Sequence, residues 1–147
     1  MIKKILLPID LKPTSTSILD YAVNIASRYE ATLFLLHINE DNIPENRLVM
    51  SRTNISSLKR DSIEDSMQSQ ANIDKLIKNI QVEYKVIIKD GEIIDIINSV
   101  ADEIKPNLVI IGNNGHDELS DYILGTTAMN LVKNIKHPVL IVPSYAK

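Results

Sequence analysis

The sequence predicts an α/β protein built on a five-stranded, parallel, doubly wound (Rossmann-like) sheet with helices on both faces. Five short runs rich in Ile, Leu and Val punctuate the 147 residues, and such continuous runs suit strands buried on both faces. Segments with the apolar spacing of helices separate these runs. Strands that alternate with helices in this way predict a parallel sheet with right-handed crossovers, and we expect the strand order 3-2-1-4-5.

The predicted strands differ in one informative way. Four of the runs are continuously apolar, whereas the third, VEYKVIIK, begins with alternating apolar and polar residues. Alternation is typical of a strand with one more polar face, so we expect this strand at an edge of the sheet. The five predicted strands cover residues 3–9, 31–38, 82–89, 107–112 and 138–142.

The predicted helices fill the spaces between the strands. Hydroxyl residues at 14–17 are suitable N-caps for the first helix. Pro106 and Pro138 stand where a helix has ended and a strand begins. The four predicted helices cover residues 14–30, about 56–80, 92–104 and about 126–135.

The chain shows no internal repeat and no domain boundary, so we expect residues 1–147 to form a single domain. Residues 39–57 form the one long polar connection. Such a connection is more often a flexible surface loop than a functional lid, although both stay open.

Composition excludes several classes of protein. The net charge is −3 and no basic run stands out, so a nucleic acid is not an expected partner. The absence of cysteine excludes disulfides, thiolate metal sites and a cysteine nucleophile. The N-terminal apolar run is broken by Pro8 and Asp10, which does not suit a signal peptide, and no run is long enough to cross a membrane. We therefore expect a cytoplasmic protein.

Three of the four glycines lie between residues 110 and 132. Gly112 ends the fourth predicted strand, Gly115 follows it, and Gly125 precedes the last predicted helix. Ligands of open α/β sheets bind outside the carboxyl ends of the strands, and a helix N-terminus offers free N–H groups to phosphate. Any one of these glycines alone would suit a simple turn, but together they favour a phosphate-binding loop.

The spacing of these glycines is G-x2-G-x9-G-T. It lacks the lysine of the P-loop and does not follow the first strand, as G-x-G-x-x-G does. The pattern resembles the ATP-binding loop of the universal stress protein family. The similarity extends to KKILLPID, LLHI, KDGEIIDIINSVADEIKPNLVIIGNNG and HPVLIV, and only residues 39–80 lack a counterpart.

The resemblance implies a binding role for residues at the ends of three strands. An Asp in the position of Asp10, with Pro8 and Ile9 beside it, would contact the ribose or adenine region. The backbone of Ile38 would read the adenine edge, and Ile111 would pack on the nucleotide.

The resemblance also implies how the phosphates are held. Gly112 and Gly115 would flank them, and Gly125, Thr126 and Thr127 would hold them from the helix end. In the family a basic residue often follows the second loop glycine, whereas this chain has His116 there. A neutral histidine attracts phosphate less than a basic residue does. The resemblance makes ATP the expected ligand, with AMP or another adenine nucleotide as alternatives. Mg²⁺ can enter with the nucleotide.

No residue spacing names a catalytic mechanism, so we identify no catalytic residue, no protein metal site, and at most slow ATP hydrolysis. A dimeric scaffold of the same family that binds no nucleotide stays open. A flavodoxin-like FMN carrier, suggested by PTSTS at 13–17, is a remote alternative. The apolar strand at 138–142 would be exposed as a sheet edge, and the resemblance implies a homodimer paired through it.

Overall fold

The computed structural model describes residues 1–9, 15–40, 71–113 and 125–143. Strands and helices alternate along these ranges. In chain order they are β1 (Lys4–Ile9), α1 (Ser15–Tyr29), β2 (Thr32–Asn39), α2 (helical residues 71–77), β3 (Tyr84–Asp90), α3 (Ile93–Ile104), β4 (Leu108–Asn113), α4 (Thr126–Asn134) and β5 (Val139–Pro143).

Most predicted elements agree with the observed ones to within one or two residues. The helix predicted over 56–80 is described only from residue 71, where it is helical as far as residue 77. Of the predicted loop 39–57, residue 39 ends β2, residue 40 follows it, and the remainder lies outside the described residues.

The five strands form one parallel sheet in the order β3-β2-β1-β4-β5. This confirms the predicted fold class and strand order. β3 lies at one edge, as its alternating pattern predicted, and none of its residues is fully buried. β5 lies at the other edge.

Helices cover the sheet on both faces. On one face, Ile5 and Leu7 of β1 and Leu33 and Leu35 of β2 pack against α1 and against Ile73 of α2. On the other face, side chains of the intervening strand residues pack against α3 and α4; they include Leu6, Phe34, Leu36, Val109 and Ile111. Because side chains alternate along a strand, each central strand contributes to a core on both faces of the sheet, as a doubly wound sheet requires.

Within the described ranges, no helix is long and apolar enough to cross a membrane. The longest of them, α1, has 15 residues and carries Asp20 and Arg28 among its polar side chains. The cytoplasmic location stays a prediction.

Candidate functional site

The sheet opens between β1 and β4. β1 pairs with β2 along its whole length, from Lys4↔Thr32 to Ile9↔His37. With β4 it pairs only at Ile5↔Leu108 and Leu6↔Val109, so the carboxyl halves of these two strands are not paired. The strand order reverses at this point, which is where open α/β sheets bind their ligands.

Pro8 gives a physical cause for this opening. The N–H of Lys4 donates to Oδ1 of Asn107 over 2.9 Å, on the β4 side, whereas the carbonyl of Lys3 accepts from Thr32 on the β2 side. Backbone groups alternate in direction along a strand, so Pro8 faces β4 as Lys4 does. Proline has no N–H to donate to a ladder, and the pairing with β4 stops before it.

Three of the predicted adenine-side residues line the ends of neighbouring strands. Ile9 and Ile111 are 8% and 6% exposed and pack into opposite faces of the sheet. Ile38 is half-buried and lies one residue past the last β1–β2 pair. Its backbone groups point toward β1, because Thr32, an even number of residues before it, donates to Lys3 of β1.

The end of β4 lies beside the start of α4. Gly112 is half-buried at the end of β4 and is paired with Val142. The next residue, Asn113, accepts a hydrogen bond at Oδ1 from the N–H of Gly125 over 2.8 Å. Gly112 is therefore the chain neighbour of the residue that binds the Gly125 amide, at the carboxyl end of the strands; the phosphate-binding role of the two glycines stays a prediction.

Among the described residues, no side chain caps the first turn of α4. Gly125 is its N-cap residue, with φ −57° and ψ 151°, and makes no side-chain cap hydrogen bond. The first helical bond runs from the N–H of Met129 to the carbonyl of Gly125 over 2.9 Å. The N–H groups of Thr126, Thr127 and Ala128 thus have no acceptor within the helix, and together with the helix dipole they suit an anion.

Asp10 and Gly115 lie outside the described residues, and so does the side chain of Thr126, whereas Thr127 is exposed on the first turn of α4. Across the parts of the chain that the structure describes, no three His, Asp or Glu side chains gather closely enough to hold a metal ion.

A polar chain at the ends of β2 and β3 was missed by the sequence reasoning. Nε2 of His37 lies 2.9 Å from Oδ1 of Asn39, and Nδ2 of Asn39 donates to Oδ1 of Asp90 over 3.0 Å. Because the amide nitrogen of Asn39 is the donor to Asp90, its oxygen is the acceptor, and His37 donates from Nε2. Nδ1 of His37 is buried and has no hydrogen-bond partner among the described residues.

This chain of side chains flanks Ile38, the residue predicted to read adenine. It joins the last register pair of the two strands, Asn39↔Asp90, and the carbonyl of Asn39 also accepts from the N–H of Gly91. The signal that could have found it is the placement of polar residues at the carboxyl ends of two adjacent strands.

Comparison with known proteins finds the same family that the sequence resembles. The family model of the universal stress protein family matches residues 1–143. Universal stress protein MJ0577 of Methanocaldococcus jannaschii is 25% identical over 154 residues, which cover 97% of this chain and 95% of the relative. Universal stress protein YxiE of Bacillus subtilis is 25% identical over 149 residues, with 97% and 99% covered.

Solved structures share the fold. The structure of MJ0577 has a TM-score of 0.74 at 26% identity and covers 97% of this chain and 96% of its own. A universal stress protein in complex with cAMP has a TM-score of 0.64 at 22% identity, with 97% and 98% covered. One from Archaeoglobus fulgidus in complex with dAMP has a TM-score of 0.65 at 18% identity, with 96% and 98% covered.

Proposed function

This chain belongs to the universal stress protein family, and on that premise we propose that it is a stress-response regulatory protein that binds an adenine nucleotide, with ATP as the ligand. The observation that carries the proposal is the uncapped N-terminus of α4, which lies beside the end of β4 where the sheet opens. Two structural neighbours were solved with adenine nucleotides, cAMP and dAMP, which supports the ligand class.

The phosphates would lie at the start of α4. The N–H groups of Thr126 and Thr127 have no acceptor within the helix and point out of its N-terminus, and the exposed Thr127 hydroxyl can add a hydrogen bond. Gly112 would let the ligand approach the end of β4 closely. Such a site draws on backbone dipoles more than on Lys or Arg, which suits a chain with a net charge of −3. Gly115 is included in the proposed phosphate site on the basis of the resemblance alone.

The adenosine part would lie across the ends of β1 and β2. By the register of β1 and β2, the N–H of Ile38 pairs with the carbonyl of Ile9. The carbonyl of Ile38 faces the space beyond β1, where it would read the adenine edge. Pro8, which cannot pair with β4, keeps the space between β1 and β4 open, with Ile9 and Ile111 at its base. Asp10 would hold the ribose or adenine region, again from the resemblance. Mg²⁺ would arrive with the phosphates, and we assign no catalytic residue.

The proposal is tested by calorimetric titration of ATP, ADP, AMP, adenosine and GTP, after any co-purified nucleotide has been removed. We expect micromolar ATP binding that weakens as phosphates are removed, and weaker GTP binding. Gly125→Val should abolish ATP binding and spare adenosine, with Gly125→Ala as the control for a small side chain. Absence of binding by every adenine nucleotide would contradict the proposal and leave a dimeric scaffold as the function.

We also propose a homodimer paired through β5. The carbonyl of Pro138 accepts from the N–H of Val109 over 2.8 Å, so even-numbered residues of this strand direct their backbone groups to β4. The backbone groups of Val139 and Ile141 then point away from the sheet, on an apolar edge strand that invites pairing. Pro143, which lacks an N–H, ends this edge.

Two proline variants separate the dimer from the fold. Ile141→Pro removes an outward-facing donor and should convert the dimer to a folded monomer, read by light scattering and circular dichroism. Leu140→Pro removes a donor to β4 instead and should lower the stability of the monomer itself. A wild-type monomer, or an Ile141→Pro variant that stays dimeric, would contradict pairing through β5.

A further inference from the structure

We propose that Asn113 is a positioning residue of the nucleotide site: its side chain ties the first turn of α4 to the end of β4 and so holds the phosphate-binding amides in place. The inference rests on the proposed function. It starts from one contact, in which Oδ1 of Asn113 accepts from the N–H of Gly125 over 2.8 Å. The two residues are separated by twelve positions in the chain.

This contact differs from an ordinary helix cap. An N-cap side chain normally accepts from the N–H of the second or third helical residue and so consumes an amide that an anion could use. Gly125 has no side chain to do this, and the oxygen of Asn113 binds the N–H of Gly125 itself. The tie therefore holds the helix end, and within the part of the chain that the structure describes it leaves the N–H groups of Thr126, Thr127 and Ala128 for a ligand.

The surroundings explain why one hydrogen bond can set this position. Asn113 is the last residue of β4 and is in register with Pro143 of β5, so its backbone is fixed. Further along α4, Leu131 is 1% exposed and anchors the helix on the core. Loss of the tie would free the first turn of α4, where the phosphates would bind, and leave the rest of the helix packed.

The consequence is specific to phosphate. A donor array that is already fixed loses less entropy when the ligand binds, so Asn113→Ala should weaken ATP binding by about tenfold. Adenosine makes no contact with α4 in this arrangement, so its affinity should stay within about twofold of the wild-type value. Loss of overall stability alone would weaken both ligands.

The experiment pairs calorimetry with amide hydrogen exchange on the full chain. Exchange at the Gly125 amide of the free protein should be faster in Asn113→Ala and should stay slow in Asn113→Asp, which keeps an acceptor oxygen. Asn134→Ala is the matched control, because its Nδ2 donates to the carbonyl of Asn130 at the other end of the same helix. This control should change neither the exchange at Gly125 nor the ATP affinity.

Four results would overturn the inference. Asn113→Ala could bind ATP as tightly as the wild type, or it could weaken adenosine binding equally. It could bind ATP more tightly, which would mean that Asn113 competes with phosphate for the Gly125 amide. Unchanged exchange at Gly125 would show that the tie is absent, even if ATP binds. A wild-type protein that binds no adenine nucleotide would instead overturn the proposed function itself, and this role of Asn113 with it.

Discussion

Two strand-to-helix junctions at the carboxyl end of the sheet, β3–α3 and β4–α4, treat the helix N-terminus in opposite ways. In the first, Glu92 is the N-cap, and its carboxylate accepts from the N–H groups of Ile94 and Asp95 over 3.1 and 2.9 Å. In the second, the N-cap is Gly125, which makes no side-chain cap hydrogen bond, and the first turn carries no acidic residue.

The difference shows what keeps a helix end available to a ligand. At α3, the chain supplies its own carboxylate, with Asp95 also in the first turn, so an added phosphate would meet negative charge and occupied amides. At α4, the tie from Asn113 holds the helix end without consuming the amides that follow. The helix N-terminus is therefore closed by the chain's own cap in the β3–α3 junction and open to a ligand in the β4–α4 junction.

The largest expected effect comes from giving α4 the kind of cap that α3 has. Gly125→Asp places a carboxylate at the N-cap, where it would bind the free amides and repel phosphate. We expect ATP affinity to fall by at least about 100-fold, measured by calorimetry. The backbone at Gly125, with φ −57°, accepts any residue.

Gly125→Asn is the matched control, because it has nearly the same size and no charge. It should bind ATP with an affinity between those of the wild type and the Asp variant. If the Asp variant is folded by circular dichroism and binds ATP normally, the N-terminus of α4 does not bind the phosphates.

The second effect concerns the turn that enters α3. Gly91 has a φ of 148°, and a Cβ there would lie 2.8 Å from Cδ1 of Ile96. Gly91→Ala should therefore lower the free energy of unfolding by about 1–3 kcal/mol, measured by urea denaturation. ATP affinity should not change, and a selective loss of affinity with normal stability would place this junction in the nucleotide site.

The smallest effect is the loss of the Glu92 cap. Glu92→Ala should lower the free energy of unfolding by about 1 kcal/mol, since two amides of α3 lose their acceptor. Glu103→Ala, at an exposed position in the same helix, should stay within about 0.5 kcal/mol of the wild type. Equal stabilities of the two variants would show that Glu92 contributes no cap.

Local pattern was enough to predict the strands, the helices and the α/β fold class. Apolar runs and helical spacing located the strands, and alternation at Tyr84 and Val86 marked β3 as an edge strand. These signals depend only on neighbours in the chain, because burial on one or both faces dictates the period of the apolar residues.

Parts of the candidate site depend on register, which local pattern does not contain. Pro8 interrupts the pairing with β4 because its backbone is on the side of β1 that faces β4. The tie between Asn113 and Gly125 spans twelve positions, and the chain from His37 through Asn39 to Asp90 joins two strands 51 residues apart. Such contacts are set by the packed sheet, and the sequence offers only the residue types.

The comparison of the two junctions is tested most directly by titrating ATP into isotope-labelled protein and following backbone amide resonances. The account predicts that the amides of Thr126, Thr127 and Ala128 at the start of α4 shift with ATP and do so much less with adenosine. The amides of Ile94 and Asp95 at the start of α3 should stay in place. Shifts at α3 equal to those at α4, or an unchanged α4 at saturating ATP, would contradict it.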